Sequence, residues 1–179
     1  MATIISHAVV ALTAGKLIPQ KCITTPVLVA GIILSMLPDA DVITFGIGIP
    51  YESPLGHRGI THSILFAFAI SVLITLLFHR KQRYDIQAFA TVNLFLFIST
   101  VSHGILDAMT TGGLGVGFFI PFSDQRFFLP YRPVLVSPIG FENFFSSWGM
   151  AVIKSEIKYI WIPCAILFVA GRLMLKRNT

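Results

Sequence analysis

Charged side chains are scarce in this chain of 179 residues. There are 13 Lys and Arg and 8 Asp and Glu, so 12% of the residues are charged, whereas 55% are hydrophobic. The mean hydropathy is +0.81. A water-soluble domain of this length needs far more polar surface, so the composition indicates an integral membrane protein. Because a bilayer core of about 30 Å needs roughly 20 apolar residues per helix, the whole chain has room for about four to six spans in a single membrane domain.

Cysteine is also rare, and its two residues, Cys22 and Cys164, lie far apart. This spacing argues against a thiolate metal site and against a disulfide framework. Residues 1–18 lack the basic segment that begins a signal peptide, so we expect no cleaved leader and a retained His7. The net charge of +5 comes from basic residues that form no stripe and lie at the ends of apolar segments, where they orient spans and contact anionic lipid. We therefore expect no nucleic-acid partner.

Long apolar segments predict transmembrane helices, because open strands cannot satisfy their backbone groups in lipid. The predicted spans lie near residues 3–18, 27–49, 63–79, 86–109 and 157–175, and the first is short. Residues 110–156 are rich in Gly, Pro and Phe, which predicts an irregular loop folded back onto the bundle or the bilayer surface. The predicted fold is an all-α integral membrane protein, a bundle of about five transmembrane helices with a long irregular loop before the last helix.

Basic residues predict the orientation, since short cytoplasmic loops carry an excess of Lys and Arg. Two basic groups stand out, namely Arg80, Lys81 and Arg83 before the fourth segment, and Arg172, Lys176 and Arg177 near the C-terminus. If both groups face the cytoplasm, the C-terminus lies inside, and the N-terminus and the loop 110–156 lie outside.

With this orientation, the unusual ionisable residues of four segments reach the same leaflet. They are His7, Asp39 and Asp41, His57 and His62, and His103 and Asp107. Imidazole nitrogen and carboxylate oxygen are the ligands of zinc and of manganese or iron. His103 and Asp107 are four residues apart and therefore share one helix face. Because a charge within the bilayer costs at least about 2.5 kcal/mol, the group predicts a metal or proton site.

A metal held by three or four of these groups would form a hydrolytic centre. It would lower the pKa of a bound water toward about 7, and a spare carboxylate would accept the proton. A pair of ions would suit a phosphate ester. Arg58, Arg126 and Arg132 lie on the same predicted face, where they could hold a phosphate in bidentate fashion. Anchoring to lipid headgroups is an equally good interpretation of Arg126 and Arg132.

Several sequence blocks occur in a recognisable order after His7. They are LPDAD at Leu37–Asp41, HRGITHS at His57–Ser63, SHGILDAMTTGG at Ser102–Gly113 and PFSDQRFFLPYRPVLVSPIG at Pro121–Gly140. With these blocks the chain resembles the YdjM-type family of predicted membrane-bound metal-dependent hydrolases of bacteria and archaea. That family is regarded as distantly similar to zinc-dependent phospholipase C, an all-α enzyme whose clustered metals are held by His and Asp.

The resemblance implies a ligand set, a metal and a location. The implied ligands are His7, Asp39, His62, His103 and Asp107. Zinc is the implied metal, with manganese or iron as alternatives. Since no histidine follows His103, we expect one or two ions rather than three. The implied location is a bacterial or archaeal cytoplasmic (inner) membrane.

The sequence therefore predicts a membrane-embedded metal-dependent hydrolase of a phosphoester, with its site toward the outer face. The predicted catalytic residues are Asp41 as a base, Arg58 on the phosphate and His57 facing the substrate. A membrane lipid is the expected partner and substrate, and no protein partner is expected. A metal transporter is one alternative, but it needs polar residues in the cytoplasmic half, where Thr75 and Thr91 are the main candidates. A noncatalytic membrane scaffold is the other.

Overall fold

The computed structural model describes residues 1–18, 21–82, 85–138 and 144–177, and helices dominate these ranges. The first half contains helices α1 (Ile4–Leu17), α2 (Thr25–Met36), α3 (Ile43–Gly46) and α4 (Ile64–Gln82). The second half contains helices α5 (Ile86–Ala108), α6 (Ser147–Glu156) and α7 (Ile162–Arg177). A 3-10 turn at Leu37–Val42 joins α2 to α3, another at Ile60–His62 precedes α4, and a π turn at Ile157–Trp161 joins α6 to α7.

Within the described ranges, four helical stretches are long and apolar enough to cross a membrane. They are Thr25–Gly46, Ile64–Lys81, Ile86–Ala108 and Ser147–Met174. Helix α1 has 14 residues, which is about 21 Å at 1.5 Å per residue and shorter than a hydrocarbon core of about 30 Å. The prediction of an all-α membrane protein is therefore confirmed, and the first predicted span is an apolar helix that does not reach full bilayer length.

The last helical stretch begins at Ser147, earlier than the predicted span near residue 157. The side chain of Ser146 accepts a hydrogen bond from the amide of Gly149 and so caps the first turn of α6. Lys154, Ser155 and Glu156 interrupt the apolar pattern, which is why the sequence alone placed this stretch in the loop.

The middle of the bundle is packed around Phe95 of α5, which is fully buried, as are Val27 and Leu96 beside it. A Cβ atom on Gly31 of α2 would lie 2.4 Å from Cζ of Phe95, so only glycine allows α2 to approach the ring this closely.

The loop after α5 folds back onto the end of the bundle, as its composition predicted. Its side chains Val116, Ile120 and Val134 are buried. Its backbone also pairs with the segment before α4, because the amide of Gly117 donates to the carbonyl of Arg58 at 2.9 Å. The loop therefore fixes the position of the HRGITHS segment.

Candidate metal centre

The 3-10 turn at the end of α2 places two carboxylates inside the bundle. Pro38 lacks an amide hydrogen and stands at the point where the α-helical pattern changes to the tighter turn. Asp39 and Asp41 follow it, and both are 7% exposed. Both carboxylates are therefore directed into the bundle.

His103 of α5 faces Asp39 through a nitrogen that has no hydrogen-bond partner among the residues that the structure describes. Its Nδ1 lies 2.7 Å from the carbonyl oxygen of Ser35, so Nδ1 must carry the hydrogen and donate it. The other nitrogen, Nε2, is then an acceptor, and it lies 3.2 Å from Oδ1 of Asp39. Unless the two atoms share a proton or a metal ion, two acceptors face each other inside the protein.

His62 extends this group of acceptors. Its Nε2 lies 3.9 Å from Oδ1 of Asp39 and 3.6 Å from Oδ2 of Asp107. One ligand atom from each of Asp39, His62, His103 and Asp107 lies within 4.8 Å of all the others, and these four residues are buried. We call them the acceptor cluster.

The acceptor cluster fits a divalent ion. A tetrahedral zinc ion with N and O ligands at about 2.0–2.1 Å separates its ligand atoms by about 3.3 Å, and the separations above bracket this value. Atoms with no hydrogen-bond partner among the described residues include Nε2 of His62, Nε2 of His103 and both carboxylate oxygens of Asp39. A single proton would satisfy one pair of acceptors, whereas a divalent ion would satisfy the four residues together.

His7 of α1 lies against the same cluster. Its ring stacks on the ring of His103 with a centroid distance of 3.7 Å, and its Nε2 lies 3.7 Å from Oδ1 of Asp107. Both of its nitrogens are buried without a hydrogen-bond partner in the described part of the chain. The structure thus brings all five predicted ligands together, with His7 at the edge.

Asp107 is held from two sides. The backbone amide of Ala2 donates to its Oδ1 at 2.8 Å, and Nε of Arg58 donates to its Oδ2 at 3.0 Å. Arg58 is fully buried, and its other nitrogens donate to the carbonyl of Gly112 and the hydroxyl of Thr110. Its guanidinium is therefore directed at protein groups, and its predicted contact with a phosphate stays a prediction.

Arg58 adopts a left-handed backbone conformation with φ of 60°. This conformation is unfavourable for a residue with a Cβ atom, so it has to be held by the surroundings. The amide of Arg58 donates to Oδ2 of Asp41 at 3.2 Å, while its carbonyl accepts from Gly117. These contacts turn the guanidinium toward Asp107.

A second group of side chains shares His62 with the acceptor cluster. Nδ1 of His57 lies 2.6 Å from Oδ1 of Asp41, and Nδ1 of His62 lies 3.2 Å from Oδ2 of Asp41. One ligand atom from each of these three residues also lies within 4.8 Å of the others. The two groups therefore form one continuous polar core.

The other predicted arginines lie apart from this core. Arg126 donates to the backbone carbonyls of Tyr51, Ser53 and His57, so it holds the loop that carries His57. Arg132 is exposed, and its guanidinium carbon lies 4.5 Å from the centre of the Phe128 ring.

The electrostatic balance of the site favours a cation, because the three carboxylates of Asp39, Asp41 and Asp107 are matched by the guanidinium of Arg58 and the N-terminal amine of Met1. Burial disfavours the charged form of His62, but the carboxylates of Asp107 and Asp41 outweigh it and raise the pKa of this histidine. Burial also lowers the pKa of the N-terminal amine of Met1, although Asp107 opposes the shift.

Glu156 is a buried carboxylate at the end of the segment 110–156, which the sequence predicts to be a loop. It accepts hydrogen bonds from the amide and hydroxyl of Thr3 and from the hydroxyl of Ser6. It thereby holds the start of α1, from which Ala2 and His7 reach Asp107. The signal that could have revealed it is an acidic residue next to a long apolar run, where an unpaired charge is costly.

The fold and the site together define a class of protein. Membrane-length helices end around a buried group of His and Asp side chains that could hold a metal ion. The chain is therefore an integral membrane protein with a candidate metal centre.

The comparisons with known proteins identify the family. Residues 1–179 match the family described as YdjM inner membrane protein. The chain is 42% identical over 167 residues to the Inner membrane protein YbcI of Escherichia coli (strain K12), and the match covers 93% of this chain and 95% of that protein. No solved structure matches the chain. The chain belongs to the YdjM family of inner membrane proteins, which confirms the predicted family, while the similarity to zinc-dependent phospholipase C stays a prediction.

Proposed function

We propose that this protein is a membrane-embedded metal-dependent hydrolase that cleaves a phosphoester of a lipid. The observation that carries the proposal is a set of buried acceptors at separations suited to one divalent ion, in which Nε2 of His62, Nε2 of His103 and both oxygens of Asp39 have no donor among the described residues. Asp39, His62, His103 and Asp107 would hold the ion, with His7 as a further ligand from α1. Such an ion supplies Lewis acidity and lowers the pKa of a bound water.

The ligand set suits catalysis better than a purely structural site. Structural zinc sites in proteins are usually closed and rich in thiolate, whereas the candidate ligands here are imidazoles and carboxylates. His57 lies beside the cluster with its Nδ1 paired to Asp41 at 2.6 Å. A histidine oriented by a carboxylate is a common proton acceptor, and we assign this role to His57. Asp41 then supports His57 rather than acting as the base itself.

A lipid substrate follows from the surroundings of the site. The acceptor cluster lies at the ends of apolar helices, where a bilayer presents its headgroups. A phospholipid and a lipid-linked phosphate share the phosphoester that the site would cleave. In our proposal the site faces outward in an inner membrane, with the N-terminus outside and the C-terminus inside. No nucleic acid and no protein partner are part of the proposal.

The transporter alternative is less well supported. Between α4 and α5, the side chains of Ser71, Thr75 and Asn93 form a further group of polar residues outside the site. Of these, the sequence predicted only Thr75. However, the hydroxyls of Ser71 and Thr75 donate to carbonyls of their own helix. These hydroxyls are therefore hydrogen-bonded within the helix. The three residues also include no carboxylate that could bind a metal ion on a path across the membrane.

The test is an assay of the purified protein in vesicles made of anionic and zwitterionic phospholipids, with zinc, manganese or iron added. We expect release of a phosphorylated headgroup or of phosphate, and we expect Asp39→Asn to abolish it. Asp124→Asn is the matched control, because Asp124 is exposed, and it should keep full activity. If no lipid phosphoester is cleaved with any of the three ions, or if Asp39→Asn remains active, the proposed activity is wrong.

A further inference from the structure

The carboxylate of Asp41 accepts hydrogen bonds from donors on several sides. Its Oδ1 lies 2.6 Å from Nδ1 of His57. Its Oδ2 accepts from the hydroxyl of Thr61 at 2.7 Å and from the amide of Arg58 at 3.2 Å, and it lies 3.2 Å from Nδ1 of His62. One of these four contacts is to Oδ1 and three are to Oδ2, so both oxygens of the carboxylate have hydrogen-bond partners.

This geometry distinguishes Asp41 from the ligands of the acceptor cluster. The 2.6 Å separation from His57 is typical of a hydrogen bond and shorter than the spacing of about 3.3 Å between two ligands of one zinc ion. The carboxylate oxygens of Asp39 lack a hydrogen-bond partner in the described ranges, whereas both oxygens of Asp41 have one. Both oxygens of Asp41 are therefore hydrogen-bonded to donors, and those of Asp39 are not.

The same contacts determine which nitrogen of His62 carries the hydrogen. Thr61 donates its only hydroxyl hydrogen to Asp41, so its oxygen, 3.0 Å from Nδ1 of His62, is left as an acceptor. Both neighbours of Nδ1 are thus acceptors, and Nδ1 has to carry the hydrogen. The lone pair of His62 then lies on Nε2, the atom that faces Asp39 and Asp107.

We infer that Asp41 is a positioning residue, which fixes His62 in the Nδ1–H tautomer and so presents the Nε2 lone pair to the acceptor cluster. Carboxylates that orient metal-binding histidines in this way commonly change metal affinity by about 10- to 100-fold when they are removed. The inference rests on the proposed metal centre for its effect on affinity, but the tautomer is a property of the metal-free protein.

Asp41→Asn is the main test. Asparagine offers one acceptor oxygen and an NH2 group, so His57 and His62 can no longer both donate to it. We expect zinc affinity to fall by about 10- to 100-fold with the number of bound ions unchanged, whereas Asp39→Asn should abolish binding. Thr61→Val is a second variant of the same size, which removes one acceptor at Nδ1 and should lower affinity by a smaller factor.

The tautomer is measured separately by 15N NMR of the metal-free protein labelled at histidine, at a pH high enough for His62 to be neutral, with His62 assigned by comparison with His62→Gln. The wild type should show one Nδ1–H signal for His62, and Asp41→Asn should shift this population toward the Nε2–H form. The inference is overturned if the wild-type histidine is already in the Nε2–H form or if neither variant changes it. It is also overturned if the wild type binds two zinc ions and Asp41→Asn binds one, because Asp41 would then be a ligand. A protein that binds no ion but shows the expected tautomers would contradict the proposed function alone.

Discussion

Replacing Asp39 by Asn should stabilise the metal-free protein, although it removes a buried charged group. Oδ1 of Asp39 lies 3.2 Å from Nε2 of His103, which carries no hydrogen when Nδ1 donates to Ser35. The side-chain NH2 of asparagine would donate to that nitrogen, so two facing acceptors become a hydrogen-bonded pair. One carboxylate oxygen of Asp39 lies within 4.8 Å of one carboxylate oxygen of Asp107. The substitution therefore also removes the repulsion between these two charges.

The magnitude follows from these distances. Two unit charges no more than 4.8 Å apart repel by at least about 3 kcal/mol at an effective dielectric constant of about 20. Arg58 pairs with Asp107 and offsets part of this repulsion, so we expect a net gain of about 1–2 kcal/mol. In a chain of this size, each kcal/mol of added stability raises the Tm by about 2–4 °C. The apparent Tm of Asp39→Asn should therefore exceed that of the wild type by roughly 2–8 °C.

Zinc should raise the apparent Tm of the wild type above that of Asp39→Asn. A free zinc concentration of about 100 times Kd stabilises the wild type by about 2.7 kcal/mol, but it cannot stabilise a variant that does not bind zinc. The assay is thermal unfolding in detergent with chelator and then with zinc, and Asp124→Asn is the control that should follow the wild type. If Asp39→Asn melts below the wild type in chelator, or if zinc raises the Tm of both equally, the description of the cluster as a set of unsatisfied acceptors is wrong.

Three further predictions concern the scaffold and the orientation. Gly31→Ala should destabilise the protein by about 1–3 kcal/mol because the added Cβ would lie 2.4 Å from Phe95, whereas Gly46→Ala, with nothing within 4 Å, should leave the unfolding temperature unchanged. Glu156→Gln should lower the free energy of unfolding by about 1–3 kcal/mol, because the NH2 group of the new glutamine would face the donors of Thr3 and Ser6. Glu52 is exposed, so Glu52→Gln serves as the control in the same unfolding assay. Reporter fusions after Lys81 and at the C-terminus should both report a cytoplasmic location, and an external signal from either would refute the proposed orientation.

The convergence of the site could be predicted from the sequence because it depends on helix order. Apolar helices that alternate in direction bring the start of α1, the end of α2, the start of α4 and the end of α5 to the same end of the bundle. The motifs that carry His7, Asp39, His62 and His103 occupy those ends, so a count of spans was enough to place them together.

The division of roles within the site could not be predicted, because it depends on contacts between distant segments. The pairing of Arg58 with Asp107 joins residues 49 positions apart, and that of Thr3 with Glu156 joins residues 153 apart. Asp39 and Asp41 are two residues apart and look alike in the sequence. Only the positions of their neighbours show that one carboxylate is free to bind an ion and that the other is hydrogen-bonded to donors through both oxygens.

Elemental analysis of the detergent-purified wild type and of Asp39→Asn tests the central claim most directly. The account predicts a stoichiometric divalent ion, zinc, manganese or iron, in the wild type and its loss in Asp39→Asn, while Asp124→Asn keeps it. A wild type that holds no such ion after incubation with each of the three metals would contradict the account, as would an Asp39→Asn protein with the full metal content.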